Sequence, residues 1–245
     1  MENKNNIYLS VIIPAYNEEI FIKNTLSQIN NFLLTKNYNY EIIVIDDGSK
    51  DKTFSIVKDL QSKIKNLKII QNNKNFGKGY SVKEGMLNAC GNYKLFMDAD
   101  NSTTIDHIDN FIKYANNGFD IIIGNRKLKK SNIKKRQSFH KEILGILGNY
   151  LIQIFAVSGI KDTQCGFKLF SSESSSKVFE KLTIYRWGFD IEALVIAKRR
   201  GFKIKSIPIL WENREETKVK LSDYIKTLEE LLKIKINLLR KKYDN

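Results

Sequence analysis

The chain has 245 residues, of which 42% are apolar and 28% charged, and 41 Lys and Arg against 27 Asp and Glu give a formal charge of +14. This composition excludes a disordered or fibrous chain, and the two distant cysteines, Cys90 and Cys165, exclude a disulfide scaffold and a CxxC metal site. The surplus of positive charge indicates an anionic partner, which is nucleic acid, a phosphorylated substrate or acidic lipid.

The first half of the chain alternates between strand and helix patterns. Short runs rich in β-branched residues predict strands, and apolar residues at helical spacing between them predict helices. The predicted strands are 8–14, 41–46, 67–71, 93–98 and 120–124. Strands joined by helical crossovers form parallel βαβ units, so an open, doubly wound sheet is expected.

The second half is more basic. Eight basic residues and no acid lie between Arg126 and Lys141. An uncharged apolar stretch at 143–160 is too short and too polar to be a clear spanning helix, so we expect it to be buried or to lie in a membrane interface. The remaining patterns predict a serine-rich turn at 171–176, a helix at about 190–200, a strand at 203–210 and a basic amphipathic helix at 222–242.

Polar residues follow three of the predicted strands. They are Pro14–Glu18 after the first strand, Asp46–Ser49 after the second and Asp98–Asp100 after the fourth. A single acid at such a position is often a helix cap or a turn residue. Because ligands of a doubly wound sheet bind outside the carboxyl ends of its strands, three such segments together predict a site.

We call the edge formed by the carboxyl ends of the strands the rim. The pair Asp98 and Asp100 is its most informative element. Acids at i and i+2 can bring both carboxylates to one divalent cation, and oxygen ligands suit Mg²⁺ or Mn²⁺, which also bind substrate phosphates. The alternative is a turn in which Asn101, Ser102 and Thr103 cap the next helix. The other two strand ends favour the metal.

Two further residues fit a nucleotide ligand. Asp47 can accept hydrogen bonds from a ribose or a base, or form a turn with Gly48. Lys78, between two glycines at a helix start, suits an anion. The sequence around Lys78 matches neither GxGxxG nor GxxxxGK[ST], which disfavours a Rossmann dehydrogenase and a Walker NTPase.

In their order, these motifs resemble the family 2 inverting glycosyltransferases of the GT-A fold. The motifs are SVIIPAYNEE, IIVIDDGSKDKT, NFGKGYSVKEGM, LFMDADNST and IIIGNR. In the second half, KDTQCGFKLF, RWGFDIE and WE followed by TKV look like the dolichyl-phosphate β-glucosyltransferases, whereas the polyprenyl-phosphate mannosyltransferases match DTQCGFK less fully. Thr217 departs from the usual Ser, and Asn101 from the common Gly.

The resemblance covers residues 7–225 and implies an α/β fold. This fold is a GT-A-type, Rossmann-like, doubly wound and mostly parallel sheet, with basic amphipathic or interfacial helices in the C-terminal half. We expect a single domain over 1–245, with a nucleotide-sugar-binding half at 7–125, an acceptor-side half at 126–221 and a basic C-terminal helix at 222–245.

The resemblance also implies roles for individual residues. The residues that would hold uracil and ribose are Pro14, Ala15, Tyr16, Glu18 and Asp47. Asp98 and Asp100 would bind the divalent metal and the nucleotide diphosphate. The remaining implied roles are phosphate neutralisation for Arg126 and Lys218, a place near the sugar or acceptor phosphate for Gln164 and Lys168, and a place near the reacting centre for Asp190 and Glu192. We therefore predict Asp100, Arg126 and Asp190 as catalytic and Lys78 as a ligand contact.

The implied reaction is inverting transfer of a hexose, glucose from UDP-glucose, to a polyprenyl or dolichyl phosphate. A metal and basic side chains would stabilise the leaving diphosphate. A phosphate acceptor is already an oxyanion, whereas a sugar hydroxyl would need Asp190 or Glu192 to take its proton. A sugar or glycan acceptor and a GDP-mannose donor stay open. A nucleic-acid-binding protein is disfavoured, because no HTH, RRM or OB pattern occurs.

The distribution of charge predicts where the enzyme works. The start has no apolar core of a signal peptide. Basic residues next to 143–160 and along the C-terminal helix would attract an anionic membrane surface, at about 1 kcal/mol each, and an apolar helix face adds to that attraction. We expect a cytoplasmic, peripherally membrane-associated enzyme without a transmembrane helix, and the sequence does not define its oligomeric state.

Overall fold

The computed structural model describes residues 7–128, 132–133, 148, 150–212 and 221–244. Its first half follows the predicted alternation of strands and helices. The elements are β1 (Leu9–Ala15), α1 (Ile22–Leu33), β2 (Tyr40–Asp46), α2 (Thr53–Leu60), β3 (Leu67–Gln71), α3 (Lys78–Asn88), β4 (Tyr93–Met97), a 3₁₀ turn (Ile105–His107), α4 (Ile108–Asn116) and β5 (Ile121–Asn125).

The second half contains shorter strands and three long helices. The elements are β6 (Asn132–Ile133), β7 (Phe167–Ser171), α5 (Ser172–Lys181), α6 (Phe189–Arg199), β8 (Ile204–Pro208), β9 (Leu210–Trp211) and α7 (Leu221–Leu239). Residues 150–155 are helical as well. The predicted helix at 190–200 and the predicted C-terminal helix are confirmed as α6 and α7.

Seven strands form one mostly parallel sheet in the order β3-β2-β1-β4-β7-β5-β8. Only β7 runs antiparallel to its neighbours, β4 and β5. Its register pairs Phe167 with Met97 and Lys168 with Phe96. Because β7 runs in the opposite direction, its first residues lie beside the carboxyl end of β4, and the segment before β7 reaches the predicted site.

The core lies on both faces of this sheet. In β1, Val11 and Ile13 belong to the cluster that contains residues of α1, α2 and α4. Ile12 points the other way, into the cluster that contains residues of α3, α5, α6 and α7. Successive side chains of a strand alternate between faces, and a parallel sheet covered on both faces has continuous apolar strands. This explains why the central strands are recognisable in the sequence.

The turn predicted at 171–176 is wrong, because most of this segment belongs to α5. The Ser171 hydroxyl accepts a hydrogen bond of 3.2 Å from the backbone N–H of Ser174 and so caps the helix. Ser174 and Ser175 are buried, and the Ser175 hydroxyl donates to the Met86 carbonyl of α3 at 3.4 Å. Serine is frequent in this segment because it caps α5 and because its small size permits close packing.

Residues 150–160, which make up most of the described part of the apolar stretch, are partly buried. Ile152, Val157 and Ile160 belong to the core, whereas Tyr150 and Ile154 are exposed. Within the described ranges, no helix combines the length and the apolar character needed to cross a membrane.

Candidate active site

The segments that follow β1 and β2 are hydrogen-bonded to each other at the rim of the sheet. The backbone N–H of Asp47 donates to the Ala15 carbonyl at 2.8 Å. Asn17, at a φ of 55°, donates its N–H to the Ser49 hydroxyl at 2.9 Å and accepts from the Lys50 N–H at 2.8 Å. The five residues Pro14–Glu18 therefore lie directly against the second polar segment, as the sequence predicts.

Asp47 anchors the loop that leads into α3. Its carboxylate accepts hydrogen bonds from the Phe76 N–H at 3.0 Å, the Gly77 N–H at 2.8 Å and the Asn72 amide at 3.0 Å. Gly77 has a φ of 108°, and a Cβ there would lie 2.4 Å from the Tyr185 carbonyl oxygen. Glycine is required at this position, and Asp47 fixes where α3 begins. Its contact with a nucleotide base stays a prediction.

Lys78 and the two aspartates after β4 come together at the rim. The Lys78 ammonium lies 2.5 Å from Asp98 Oδ1, and the two side chains are 24% and 32% exposed. Asp100 accepts the Ser102 N–H at 2.9 Å. Asn101, the residue between Asp100 and Ser102, adopts a φ of 56°, a left-handed conformation that asparagine tolerates better than most residues. This explains why Asn can stand where the resemblance leads one to expect Gly.

The charges of this cluster influence one another. Burial and the neighbouring Asp98 carboxylate raise the pKa of Asp100, against the effect of the Ser102 hydrogen bonds and of Lys78. Burial lowers the pKa of Lys78, but the carboxylates of Asp98, Asp190 and Asp100 outweigh it, so the pKa of Lys78 is raised. The cluster is therefore an acidic site that already holds one cationic group.

The two aspartates fit a divalent cation only in part. Across the residues that the structure describes, no three His, Cys, Asp or Glu side chains are grouped so that they could hold a metal. Two carboxylates completed by phosphate oxygens of a substrate are a common arrangement for Mg²⁺. The repulsion that raises the pKa of Asp100 is what a cation there would relieve, so Asp98 and Asp100 fit a metal that arrives with a phosphorylated ligand.

Gly166 permits the close packing of β7 against Asp98. A Cβ at Gly166 would lie 1.9 Å from Asp98 Oδ2, and the Gly166 carbonyl accepts the Asp98 N–H at 3.1 Å. The sequence motif contains this glycine, but its role follows only from the antiparallel pairing.

A buried ion pair lies behind the rim. Lys168 and Asp190 are almost inaccessible to solvent, and the Lys168 ammonium donates to Asp190 Oδ1 and to the Cys165 carbonyl. Burial raises the pKa of the Asp190 carboxyl, and the ammonium groups of Lys168 and Lys78 oppose that rise. The structure thus brings both predicted residues to the site, as partners of each other.

Arg126 is held in a second ion pair. Asp162, which is buried, accepts hydrogen bonds from the Arg126 N–H at 2.8 Å, Nε at 2.9 Å and Nη2 at 2.7 Å. The guanidinium also lies 5.4 Å from the centre of the Trp211 ring. Sequence reasoning gave Asp162 no role, although it belongs to the KDTQCGFKLF motif.

The other predicted residues are placed less centrally. Gln164 is exposed and donates to the Trp187 carbonyl at 3.2 Å. Glu192 is two positions after Asp190 in α6, and residues so spaced point about 200° apart around a helix. Its carboxylate accepts hydrogen bonds from the Thr183 and Ile184 backbone and from Tyr243, so it points away from the ion pair. Lys218 lies outside the described residues.

A doubly wound sheet with acids and lysines at the carboxyl ends of its strands defines an α/β protein with a candidate ligand site at that edge. The chain belongs to glycosyl transferase family 2, whose model matches residues 10–179.

Solved structures share the fold. Mannosyl-3-phosphoglycerate synthase from Rubrobacter xylanophilus is 14% identical with a TM-score of 0.70, over 96% of this chain and 75% of that one. Glucosyl-3-phosphoglycerate synthase from Mycobacterium tuberculosis, solved with Mn²⁺, UDP-glucose and phosphoglyceric acid, is 14% identical with a TM-score of 0.70, over 94% and 79%.

Curated relatives match over nearly the whole chain. A dolichyl-phosphate β-glucosyltransferase of Trichomonas vaginalis is 38% identical over 96% of this chain and 75% of its own length. Proteins with the same description from Dictyostelium discoideum and Homo sapiens are 37% and 33% identical, over 98% and 94% of this chain and 78% and 76% of theirs. The resemblance read from the motifs is confirmed, and the chain is a glycosyltransferase.

Proposed function

We propose that this glycosyltransferase moves glucose from UDP-glucose to a dolichyl or other polyprenyl phosphate, with inversion at the sugar. The observation that carries the proposal is the similarity to dolichyl-phosphate β-glucosyltransferases at 33–38% identity over 94–98% of the chain. The arrangement of Lys78, Asp98 and Asp100 supports it, since these residues combine the charges that a nucleotide diphosphate and a cation require.

The donor would bind at the rim formed by β1, β2 and β4. Breaking the bond between the sugar and the diphosphate places negative charge on the leaving group. Asp98 and Asp100 would hold a Mg²⁺ or Mn²⁺ ion, which neutralises such charge when bound. Lys78 forms an ion pair with Asp98 and would stabilise the same leaving phosphate. The shared fold with a structure solved with Mn²⁺ and UDP-glucose supports this kind of donor.

The buried ion pair favours a phosphate acceptor. Asp190 already accepts a hydrogen bond from Lys168 and is only 4% exposed, an arrangement poorly suited to removing a proton from a sugar hydroxyl. An acceptor phosphate needs no strong base because it is already an oxyanion. Lys168 and Lys78 are the cationic groups that act on Asp190, and the role of Asp190 would be to orient Lys168.

A direct assay tests the reaction. UDP-glucose, UDP-N-acetylglucosamine and GDP-mannose are each incubated with a polyprenyl phosphate, a polyprenol and a soluble glycan, with Mg²⁺, with Mn²⁺ or with EDTA. We expect glucosyl polyprenyl phosphate from UDP-glucose and a metal, and no product from the polyprenol. Transfer to the glycan instead, or transfer from GDP-mannose alone, would contradict the proposal.

We further propose that α7 binds the membrane in which the acceptor lies. Four apolar side chains of α7 are exposed at helical spacing, namely Leu228, Leu232, Ile236 and Leu239, with exposed basic residues on the same segment, namely Lys226, Lys233, Arg240, Lys241 and Lys242. Such a surface combines the apolar and electrostatic parts of interfacial binding.

Co-sedimentation with vesicles tests this surface. Leu232→Glu with Ile236→Glu is expected to weaken binding to vesicles of phosphatidylserine and phosphatidylcholine. Leu34→Glu is the control, because Leu34 is 67% exposed but follows α1, which packs on the other face of the sheet. Equal binding by the double variant and the control would rule out α7 as the membrane contact.

A further inference from the structure

The buried face of α7 contacts the backbone next to the candidate active site. Glu230 accepts the Gly188 N–H at 2.7 Å, and a Cβ at Gly188 would lie 2.9 Å from the same carboxylate oxygen. Gly188 directly precedes α6, whose second residue is Asp190. A side chain of α7 therefore sets the position of the segment that leads to the Lys168–Asp190 pair.

A second contact connects the end of the chain to the same segment. The fully buried Glu192 accepts hydrogen bonds from the Thr183 N–H at 2.8 Å and the Ile184 N–H at 2.7 Å. It also accepts the Tyr243 hydroxyl at 2.7 Å. That hydroxyl in turn accepts from the Asn237 amide of α7 at 3.0 Å. Gly188 is thus held directly by Glu230 of α7, and residues 183–184 are held by Glu192 of α6, whose carboxylate Tyr243 contacts in turn.

Residues 183–189, which we call the connecting segment, reach the rim on their other side. The Tyr185 carbonyl accepts the Tyr80 N–H from the first turn of α3 at 3.2 Å. The Lys78 ammonium lies 5.8 Å from the centre of the Trp187 ring, and Phe189 packs so closely that a Cβ at Gly79 would lie 2.6 Å from its Cβ. Any shift of the connecting segment would move its contacts with Lys78.

We propose that Glu230 and Tyr243 are positioning residues for glucosyl transfer, which hold the connecting segment in the conformation that places Lys78, Trp187 and Asp190. The proposal rests on the proposed function for its catalytic readout. Neither residue touches the reacting groups. Glu230 acts through the Gly188 N–H, and Tyr243 acts through Glu192. The helix that carries the exposed apolar surface thereby has a second role in shaping the site.

The first test compares three variants with the acceptor in detergent, so that membrane binding does not contribute. Glu230→Ala removes the acceptor of the Gly188 N–H, Glu230→Gln retains a carbonyl in its place, and Glu229→Ala alters the exposed neighbour on the same helix. We expect Glu230→Ala to lower kcat about tenfold or more, since small misplacements of reacting groups reduce rates strongly. Glu230→Gln should recover to within about threefold of the parent rate, and Glu229→Ala should match the parent. Equal rates for Glu230→Ala and Glu229→Ala would overturn the proposal.

The second test does not depend on activity. Hydrogen–deuterium exchange of peptides covering 183–189 is measured for Glu230→Ala, for Tyr243→Phe and for the control Glu229→Ala. Faster exchange in the first two variants only is expected. Unchanged exchange in both overturns the proposal. If the parent chain transfers no glucose in the detergent assay, the proposed function fails by itself, and the exchange experiment still decides whether α7 positions the segment.

Discussion

The two halves of the chain supply charge to the candidate site in different ways. The first half places Lys78 and Asp98 where they are partly exposed, directly after a loop and a strand. The second half pairs each of its cations with a buried carboxylate: Lys168, itself inaccessible to solvent, with Asp190, and the partly exposed Arg126 with Asp162. Exposed charges can exchange water for a ligand, whereas a buried charge is costly unless a partner is present.

This difference separates two tasks within one site. The rim of the first half has the accessible groups that a diphosphate and a cation can meet. The pairs of the second half are complete without a ligand, so their partners fix each other's orientation before any substrate arrives. We therefore expect changes at the rim to affect catalysis more than stability, and changes in the buried pairs to affect both.

The largest effect on activity is expected at the rim. Asp100→Asn removes a charge but keeps the shape, and we expect transfer to fall by about 10²–10³-fold, the range found when one stabiliser of developing charge is lost. The melting temperature should change little, because burial and Asp98 already disfavour the charged form of Asp100. The measurement is the initial rate with UDP-glucose at saturating metal. Asp109→Asn is the control, since the exposed Asp109 pairs with Lys36, and ion pairs at the surface contribute little.

The next largest effect is expected on stability, in the buried pair. Lys168→Met leaves Asp190 buried without this partner, and breaking such a pair costs about 3–5 kcal/mol of unfolding free energy. Adding Asp190→Leu removes the stranded carboxyl, so the double variant should regain most of that loss in chemical denaturation. It should still fail to transfer glucose. If the double variant were as unstable as the single one, the pair would not be the cause.

The rim and the buried pairs also differ in how well the sequence predicts them. β1, β2 and β4 each contain a short apolar run because the sheet is covered on both faces, so their ends, and with them Asp47, Asp98 and Asp100, can be located from the pattern. The parallel arrangement of the strands alone predicts that these three aspartates lie at the same edge of the sheet. The polar segments that carry the site are therefore recognisable in the amino-acid sequence itself.

The second half is less predictable because its contacts are distant and its topology breaks the pattern. Asp162 pairs with a residue 36 positions away, which no local pattern indicates. The antiparallel strand β7 is recognisable as part of a motif but not as a strand, so the sequence does not predict the approach of Gly166 to Asp98. The opposite directions of Asp190 and Glu192 can be predicted from the sequence, because residues i and i+2 of a helix point to different faces.

A smaller effect is expected where β7 meets the rim. Gly166→Ala forces the Asp98 carboxylate to move, since the new Cβ would lie 1.9 Å from Oδ2. Asp98 is partly exposed and can rotate outward, so we expect a loss of kcat/KM of up to about 10²-fold with only a modest change in stability. Gly148→Ala is the control, because a Cβ at Gly148 meets none of the described residues within 4 Å. Unaltered kcat/KM in Gly166→Ala would show that Asp98 does not need its present position.

The smallest effect is expected in the acid stability of the Arg126–Asp162 pair. Burial raises the pKa of Asp162, but the charge and hydrogen bonds of Arg126 more than offset it, so the pKa of Asp162 is lowered. A carboxyl whose pKa is lower in the folded than in the unfolded chain stabilises the fold above the unfolded value, which is about 3.9 for aspartate. That contribution is lost as the pH falls from about 4 through the folded value.

The comparison of the parent chain with Asp162→Asn makes this loss measurable. The difference between their unfolding free energies should be constant from neutral pH down to about pH 5 and should shrink below about pH 4, as the parent loses the contribution of its own carboxylate. Asp59→Asn, at an exposed position of α2, shows how much of the change comes from removing any surface carboxylate. A difference that stayed constant down to about pH 3 would mean that Asp162 is not held ionised by Arg126. In that case Arg126 would be free to meet phosphate, and the distinction between cations paired with buried carboxylates and an accessible rim would not hold at this residue.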